Sequence, residues 1–335
     1  MNSVPSQPST TFLFALESGY FEAQTLLAVE CLRRFGGRFA NSPVLAITPR
    51  LGPSLTHTTL QRFDELGVTY IRRNMDHPYS WYGFMNKPLA VMLAEDYAST
   101  EQIVFLDSDT LVIAEPELLW LEPDVDFAVC STSKNIGTSG PKDKNESYWL
   151  ALSKYLSIDI DQLPWVVTEI EKERIRFRLH SGVFAFRRNS GLGKAYLRAC
   201  EQVFDSRVTY SDRLPFPGDG VGLGFAVISQ NLRWRLLPIS YNYSLTPTSS
   251  AYGREGRYSA KILHYHDSLT TPNSCAWVLN EIESQRPDLY NWLKERVPLN
   301  AKMGGLHRTL FRRILKEWRT VKQKRFNATC TAIIQ

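Results

Sequence analysis

The chain has 335 residues, of which 43% are hydrophobic and 22% are charged, and its formal net charge at pH 7 is +5. This size and composition are typical of a globular protein with one large domain or two fused domains, and they exclude disorder over most of the chain. No stretch approaches the roughly 18 consecutive apolar residues that a membrane-spanning helix requires. The first residues, MNSVPSQPSTTFLFALES, lack the basic region of a secretory signal.

The positive charge is concentrated near the C-terminus. Lysine and arginine outnumber glutamate by nine to one between Lys302 and Arg325, which leaves a net charge of −3 for the rest of the chain. A general nucleic-acid-binding surface is therefore not expected. The five cysteines are scattered and show no metal-ligand spacing, so we expect reduced thiols and a cytoplasmic protein.

Short apolar runs alternate with longer segments of helical period from Thr11 onward. This alternation predicts an α/β domain with a mainly parallel sheet flanked by helices. In chain order, the first predicted elements are a strand, a helix, two strands, a helix and a fourth strand: TFLFALE, YFEAQTLLAVECLRRFGG, PVLAIT, GVTYIRR, NKPLAVMLAEDY and QIVFLD.

The strand DFAVCS comes next, and a polar segment from Ser133 to Glu173 without a clear period follows it. Beyond that segment we predict a strand, a helix, a loop that enters a helix, the block WRLLPISYNY and a last short strand. The corresponding sequences are FRLHSGVFAFRR, SGLGKAYLRACEQVF, GDGVGLGFAVISQN, WRLLPISYNY and KILHYHD. Two helical segments close the chain.

Two aspartates one residue apart follow the apolar run of the fourth predicted strand, in IVFLDSDTLVIAEP. The D-x-D spacing occurs three times, but only Asp107 and Asp109 come directly after such a run, at the strand end where α/β sheets bind ligands. Both carboxylates can point to one side and bind Mg²⁺ or Mn²⁺, which leaves positions open for phosphate oxygens. The alternative is that both aspartates only cap a turn between two strands.

The segment from Asn86 to Pro116 resembles the core of nucleotide-sugar-dependent glycosyltransferases of the GT-A fold. Within that fold the chain is most similar to the retaining family that includes glycogenin and the bacterial lipopolysaccharide galactosyltransferases. The resemblance covers roughly Thr11 to Asp267, although only the Asp107/Asp109 block is highly specific. It implies a GT-A-type, Rossmann-like mixed sheet, a nucleotide-diphosphate sugar as donor, with UDP as its nucleotide, and Mn²⁺ or Mg²⁺ as cofactor.

The resemblance also implies a set of donor-binding residues. Backbone after the first strand and a stacking tyrosine would hold the base, and a lysine before the D-x-D strand would neutralise the departing diphosphate. In this chain the implied residues are Ala15, Leu16, Glu17, Tyr20, Lys87, Ser108, Ser181 and Gly182. Taken alone, Tyr20 and Lys87 are also typical of surface residues at helix starts.

Two further blocks correspond to the family's sugar site. HSGVFAFRR resembles the strand that lines the sugar, but His180 replaces the usual asparagine. In GDGVGLG, Asp219 matches an acidic residue of the family, but Gly220 replaces the glutamine that normally follows. The resemblance thus implies Asp219, Lys87 and His180 as catalytic residues, and the replacements at His180 and Gly220 leave the sugar specificity open.

The block ILHYHD resembles the strand whose histidine completes the family's metal shell. The implied metal ligands are Asp107, Asp109 and His264, a set that suits Mn²⁺. His266 is the alternative histidine, since it points to the same side of a strand as His264.

The sequence therefore predicts a metal-dependent glycosyltransferase that moves a sugar to an acceptor hydroxyl, with retention of configuration implied by the resemblance alone. A glycan, a lipid-linked molecule or a protein remain open as acceptors. One rival is a haloacid-dehalogenase-like phosphatase, but the nucleophile block of that class ends the first strand. The other rival is a non-catalytic module that binds nucleotide-sugar or glycan, and the replacements at His180 and Gly220 favour it.

The basic C-terminal segment is predicted to form an amphipathic helix. Its apolar positions recur at spacings of three or four with lysines and arginines between them: Leu306, Leu310, Ile314, Trp318 and Val321. Such a helix can lie on an anionic membrane surface, or it can dock on the catalytic domain with a solvated basic face.

The predicted organisation has three parts. They are a disordered N-terminus at residues 1–10, a GT-A glycosyltransferase domain at residues 11–295 and the basic helical segment at residues 296–335. The expected location is the cytoplasm, either free or on the inner face of a membrane through the C-terminal helix.

Overall fold

The computed structural model describes residues 9–210, 219–246, 259–299 and 305–333 of the chain. The strands in these ranges are β1 (Thr10–Ala15), β2 (Val44–Thr48), β3 (Val68–Arg72), β4 (Gln102–Leu106), β5 (Thr110–Val112), β6 (Phe127–Ser131), β7 (Trp165–Val167), β8 (Arg174–Arg176), β9 (Leu179–Arg187), β10 (Val208–Thr209), β11 (Trp234–Leu237), β12 (Tyr243–Ser244), β13 (Ile262–His264) and β14 (Thr331–Ala332).

The α-helices of the same ranges flank these strands. They are α1 (Tyr20–Phe35), α2 (His57–Glu65), α3 (Asn86–Tyr97), α4 (Glu146–Leu156), α5 (Leu192–Asp205), α6 (Asp219–Ser229), α7 (Pro272–Glu283), α8 (Pro287–Leu293) and α9 (Leu306–Asn327). None of these described helices combines the length and the apolar character needed to cross a membrane.

A seven-stranded mixed sheet with the order β11-β6-β9-β4-β1-β2-β3 forms the centre of the molecule. Every neighbouring pair is parallel except the two that involve β9, which is antiparallel to β4 and to β6. The predicted mainly parallel sheet with flanking helices is therefore confirmed. Because β9 runs against β4, the start of β9 lies beside the end of β4.

Both faces of the central sheet are buried. Successive residues of β1 alternate between two cores: Leu13 packs in the core of α3, α5 and α6, whereas Phe12 and Phe14 pack in the core of α1 and α2. All three side chains are completely inaccessible to solvent. Each such burial stabilises the fold by about 1.5–3 kcal/mol, so the sheet is held from both sides.

Helix α3 delivers a lysine to the end of the sheet. The predicted helix NKPLAVMLAEDY coincides with Asn86–Tyr97, and Pro88 lies in its first turn, where the missing N–H costs nothing. The first turn packs next to the ends of the central strands, so Lys87 is buried. The interpretation of Lys87 as an ordinary solvated lysine is wrong.

A small second sheet, in the order β12-β13-β5, lies beyond the D-x-D turn. Strand β13 is antiparallel to β5, and His264 pairs with Thr110 in this register. The Tyr265 N–H also donates to the Asp109 carbonyl at 3.0 Å. The pairing therefore places His264, which is about 155 residues further along the chain, next to the D-x-D motif.

Three predicted segments now have described structure. The polar segment from Ser133 to Glu173 contains α4, whose Tyr148 and Trp149 are buried in the main core. Residues 1–8 of the predicted disordered N-terminus lie outside the described residues, but Thr10 already belongs to β1. In the C-terminal segment, residues 300–304 and 334–335 also lie outside them, and α9 occupies most of the remainder.

Candidate active site

The D-x-D motif forms the turn between β4 and β5. The Thr110 N–H and hydroxyl close this turn by donating to the Asp107 carbonyl at 3.1 and 2.7 Å. The Asp107 N–H donates to the Gly182 carbonyl at 2.8 Å, which ties the turn to β9. The turn is thus closed through backbone and Thr110, while both aspartate side chains contact other elements. The interpretation that the aspartates only cap the turn is not supported.

The other two D-x-D pairs have structural contacts. Asp126 binds Arg233 at 2.7 Å beside β6. Asp159 accepts the Asp161 N–H at 3.0 Å, and Asp161 binds Arg176 at 3.2 Å with its own side chain 82% exposed. Asp107 and Asp109 are thus the pair that follows a buried apolar strand, and their functional role stays a prediction.

The Lys87 ammonium lies between two carboxylates. Its Nζ is 3.0 Å from Asp107 Oδ1 and 3.0 Å from Asp219 Oδ2, and it also donates to the Ser181 hydroxyl at 3.1 Å. Burial alone lowers the pKa of Lys87, but the two carboxylates raise it above its ordinary value, so the ammonium stays charged. The residue links α3, the D-x-D turn, β9 and the start of α6.

Among Lys87 and the three aspartates around it, negative charge exceeds positive charge. Three buried or half-buried carboxylates, on Asp107, Asp109 and Asp219, face the single ammonium of Lys87. Burial raises the pKa of Asp107, and the Asp109 charge adds to this shift, whereas Lys87 opposes it. An excess of buried carboxylates of this kind is relieved by a cation or a proton.

Asp109 forms a compact cluster with two histidines. One ligand atom from each of Asp109, His264 and His266 lies within 4.8 Å of the others. His264 Nε2 is 3.1 Å from Asp109 Oδ1, and His264 Nδ1 is 2.9 Å from the Asn242 side-chain oxygen, which fixes the orientation of the ring. The rings of His264 and His266 stack at 4.0 Å.

The protonation of the cluster follows from its contacts. Burial alone lowers the pKa of His264, but Asp109 raises it above the ordinary value. Burial and the neighbouring His264 lower the pKa of His266 to about 4, so His266 is neutral at pH 7. Two imidazoles and a carboxylate would form a suitable ligand set for Mn²⁺ once the proton between His264 and Asp109 has been lost, because only a neutral imidazole offers a lone pair to a metal.

The start of α6 places Asp219 against β9. The Ser181 hydroxyl donates to Asp219 Oδ1 at 2.9 Å. A Cβ atom on Gly220 would lie 2.5 Å from the Leu179 carbonyl oxygen, so the helix approaches the strand closely there. Any side chain at this position, including the glutamine that the family resemblance implies, would require the helix to move away from the strand.

The start of β9 presents His180 and Gly182 at the same place. His180 Nδ1 accepts the Gly182 N–H at 3.0 Å, and burial lowers the pKa of His180 well below its ordinary value, so the ring is neutral. A Cβ atom on Gly182 would lie 2.9 Å from Asp107 Oδ2. The absence of a side chain at Gly182 therefore leaves room for the Asp107 carboxylate beside β9.

Two cavities meet at the cluster of Asp109, His264 and His266, and Phe84 lines both cavities. The first, which we call the donor cavity, has a volume of about 410 Å³ and is lined by Ala15, Glu17, Phe21, Arg50, Gly83, Phe84, Asn86, Lys87, Phe105, Asp107, Asp109 and Arg319. The second, the sugar cavity, has a volume of about 370 Å³ and includes Arg178, His180, Ser181, Asp219, His264 and His266 in its lining.

An arginine from α9 reaches the donor cavity. Arg319 binds Glu17 at 2.9 Å and donates to the Leu51 carbonyl at 2.9 Å, while Arg50 binds Glu17 from the other side. Burial alone raises the pKa of Glu17, but the two arginines lower it below its ordinary value. The C-terminal helix therefore docks on the catalytic part of the chain, which was one of the two predicted alternatives, and it reaches the edge of the donor cavity, which the sequence did not predict.

The predicted donor-binding residues are distributed unevenly. Ala15, Glu17 and Lys87 line the donor cavity, and Ser181 lines the sugar cavity. The Ser108 hydroxyl is instead directed at the Ala15 carbonyl, 3.4 Å away.

Leu16 and Tyr20 take no part in the lining. The Leu16 side chain is completely buried in the core. The Tyr20 ring packs against the cluster that contains Tyr243 and Leu263. Two aromatic residues that the sequence did not single out, Phe21 and Phe84, line the donor cavity and remain 46% and 53% exposed.

Comparison with known proteins identifies the family. The model of the Rhodobacterales glycosyltransferase domain matches residues 12–227. The chain belongs to this glycosyltransferase family. The match covers the D-x-D turn, Lys87, the start of β9 and Asp219, and it does not extend to His264.

The solved structure of LgtC shows the same fold at low sequence identity, and other glycosyltransferase structures match with TM-scores below 0.5. The galactosyltransferase LgtC, determined with donor and acceptor sugar analogues, is 10% identical, and the match covers 89% of this chain and 98% of LgtC with a TM-score of 0.51. The bifunctional glycosyltransferase WbbM (13% identity, TM-score 0.47) matches 87% of this chain, which spans 52% of WbbM. GlyE of Streptococcus pneumoniae is 12% identical with a TM-score of 0.45, and the match covers 88% of this chain and 66% of GlyE.

The predicted GT-A fold and glycosyltransferase class are thus confirmed, and the phosphatase rival is not favoured. No curated protein matches the chain.

Proposed function

We propose that this glycosyltransferase transfers a sugar from a nucleoside diphosphate to an acceptor hydroxyl, and that the nucleoside diphosphate is UDP. The observation that carries the proposal is the Lys87 ammonium held 3.0 Å from both Asp107 and Asp219, next to the cluster of Asp109, His264 and His266. A fixed cation beside a metal-type ligand set suits a substrate that carries a diphosphate.

The donor is assigned to the donor cavity. Its exposed aromatic rings, on Phe21 and Phe84, offer faces on which a base can stack. At the inner end of the cavity, Lys87 and Asp107 lie where the diphosphate would sit, and the sugar would enter the neighbouring sugar cavity. Ala15 and Glu17 are retained as base contacts, and Tyr20, Leu16 and Ser108 remain predictions from the family resemblance.

A divalent metal fits the residues of the site. Asp109 and His264 are the proposed ligands, His266 is added from its place in the cluster, and Asp107 is retained from the sequence prediction. When bound, a divalent ion would neutralise negative charge on the diphosphate. The excess of carboxylates over ammonium groups at the site supports this assignment.

The protein residues supply positioning and charge. Lys87 would stabilise the charge of the departing diphosphate, because its ammonium is held in place before the substrate arrives. Asp219 and His180 line the sugar cavity and are proposed to contact the sugar. Asp219 would accept hydrogen bonds from sugar hydroxyls, and the neutral His180 ring would form a polar part of the cavity wall. Retention of configuration is proposed from the family resemblance alone.

The C-terminal helix provides a candidate membrane contact. Its inner face holds Leu315, Arg319 and Phe326 against the protein, and its apolar stripe points outward. The exposed stripe consists of Leu306, Leu310, Ile314, Trp318 and Val321, with Arg313, Lys316, Lys322 and Lys324 exposed around it. We assign this face to an anionic membrane surface. The proposed boundary between the catalytic domain at 11–295 and the helical segment at 296–335 is a division of the sequence only, because Arg319 and Phe326 of α9 pack against the catalytic part of the chain.

An assay of nucleotide release tests the proposed reaction. Purified protein is incubated with UDP-sugars in the presence of Mn²⁺ or of EDTA, and free UDP is measured. We expect release with metal and its loss in EDTA and in an Asp219→Asn variant. Cleavage of p-nitrophenyl phosphate without UDP release would support the phosphatase rival, and binding of UDP-sugar without any release would support the non-catalytic module.

A further inference from the structure

We propose that Arg178 binds an anionic substituent, a carboxylate or a phosphate, on the sugar that occupies the sugar cavity. The inference rests on the proposed glycosyl transfer and narrows its substrate to acidic sugars. Nothing in the family match or in the sequence motifs assigns a role to this arginine.

Arg178 lies at the wall of the sugar cavity. It precedes β9 by one residue and lines the cavity together with His180, two residues further along the chain. Its Nη1 donates to the Thr132 hydroxyl at 3.1 Å and to the Ser133 carbonyl at 2.8 Å. The guanidinium is therefore held in one orientation by the segment that follows β6.

Arg178 forms no ion pair within 4.0 Å in the part of the chain that the structure describes, although Glu171 and Asp219 raise its pKa from a longer distance. Neighbouring arginines differ in this respect: Arg176 binds Glu146 and Asp161, and Arg187 binds Asp126. Burial lowers the pKa of Arg178 to about 10, which still leaves it charged at pH 7. A half-buried charge without a partner is costly unless a ligand provides one.

The two carboxylates that share the cavity wall have other contacts. Asp219 is held by Lys87 and Ser181, and Glu169 accepts the Ile239 N–H at 2.9 Å. Neither forms an ion pair with Arg178. The cavity thus presents a fixed cation to whatever enters it.

The hydrogen bonds of Arg178 indicate the shape of the ligand. Within the described ranges both of its bonds use Nη1, so the N–H groups of Nε and Nη2 are left for a ligand of the cavity that Arg178 lines. Two parallel N–H groups match the two oxygens of a carboxylate or a phosphate. A neutral sugar offers only hydroxyl groups, which do not require a full positive charge.

Calorimetric titrations distinguish the two sources of such a group. For the donor, UDP-glucose and UDP-galactose are compared with UDP-glucuronate and UDP-galacturonate in the presence of Mn²⁺. For the acceptor, the methyl glycosides of the same four sugars, and glucose 6-phosphate, are titrated with and without UDP. The proteins are the unmodified chain, Arg178→Gln, Arg178→Lys and the control Arg174→Gln, which removes an exposed arginine that stacks on Trp165 at 4.6 Å.

We expect the unmodified chain to bind the acidic form in one of the two series about 10–100-fold more tightly than its neutral counterpart, as hydrogen bonds to charged groups allow. Arg178→Gln should abolish this preference, Arg178→Lys should keep part of it, and Arg174→Gln should keep all of it. Melting temperatures show whether each variant is folded. If Arg178→Gln does not fold, the partial loss of preference expected for Arg178→Lys still tests the proposal.

Equal binding of acidic and neutral forms in both series would overturn the proposal, as would a preference that survives Arg178→Gln. Failure of the proposed function looks different, because UDP itself would not bind. In that case the titrations of the glycosides without UDP still decide whether Arg178 recognises an anion.

Discussion

Lys87 and Asp219 form a buried ion pair, with 3.0 Å between Nζ and Oδ2 and side chains that are only 11% and 8% exposed. The pair joins the first turn of α3 to the first turn of α6, so a single ion pair connects two helices that are far apart in the chain. Because Asp107 shares the same ammonium, removal of the lysine leaves both carboxylates without this counter-charge.

Replacement of this lysine should therefore affect both stability and activity. We expect Lys87→Met to lower the free energy of unfolding by about 3–5 kcal/mol, the usual cost of breaking a buried pair. UDP release should fall by about 100-fold or more if the ammonium also stabilises the departing diphosphate. Urea unfolding and UDP release measure the two effects. The control is Lys154→Met on the exposed side of α4, and equal behaviour of the two variants would refute the assignment.

The close approach of α6 to β9 predicts the effect of a larger residue at position 220. Gly220→Ala should destabilise the protein by about 1–3 kcal/mol, because the new Cβ would lie 2.5 Å from the Leu179 carbonyl oxygen. Gly220→Gln, which restores the family's usual residue, should be no better. Gly52→Ala is the matched control, since a Cβ there meets no atom within 4 Å. Thermal unfolding measures all three, and an unchanged melting temperature for Gly220→Ala would show that the helix can move away.

Phe21 and Phe84 should contribute to nucleotide affinity. Stacking of a base on an aromatic ring is worth about 1–3 kcal/mol, so each alanine substitution should weaken UDP binding by roughly 5–150-fold. Tyr155→Ala provides the control, because that ring is similarly exposed but lies on α4. Titration of UDP measures the effect. If only Tyr20→Ala weakened binding, the base would instead stack where the family resemblance implies.

The outward apolar stripe of α9 should mediate binding to anionic vesicles. A triple variant, Leu310→Ser, Ile314→Ser and Trp318→Ser, should remove sedimentation with phosphatidylserine vesicles, because it removes buried apolar area at the membrane while Arg319 stays in contact with Glu17. Neutral vesicles are the control for the contribution of the basic residues. Unchanged sedimentation of the triple variant would contradict the membrane assignment.

Local patterns in the sequence were sufficient for much of the fold. The helical period from Asn86 predicted α3 with its observed boundaries, and the apolar run before Asp107 predicted β4 to within one residue. The D-x-D motif could be separated from its two counterparts because strand ends are visible as changes of pattern. These features depend on residues that are near one another in the chain.

Features that depend on distant contacts were not visible. The contact of Arg319 with Glu17 joins residues about 300 positions apart, and no periodicity marks it. The antiparallel insertion of β9 between β4 and β6 brings Arg178 to the sugar cavity, but the sequence shows Arg178 only as a charge before a strand. The exclusion of a side chain at Gly220 likewise comes from the approach of Leu179, which only the packed structure reveals.

Calorimetric titration of UDP with and without Mn²⁺ tests the nucleotide and metal site most directly. The proteins compared are the unmodified chain, the Asp107→Ala and Asp109→Ala double variant, and the Asp159→Ala and Asp161→Ala double variant, which removes an exposed D-x-D pair of the same spacing. We predict that UDP binds to the unmodified chain and to the control only when Mn²⁺ is present, and does not bind to the first double variant. Binding that is independent of the metal or of Asp107 and Asp109, or no binding of UDP at all, would contradict the proposed donor site.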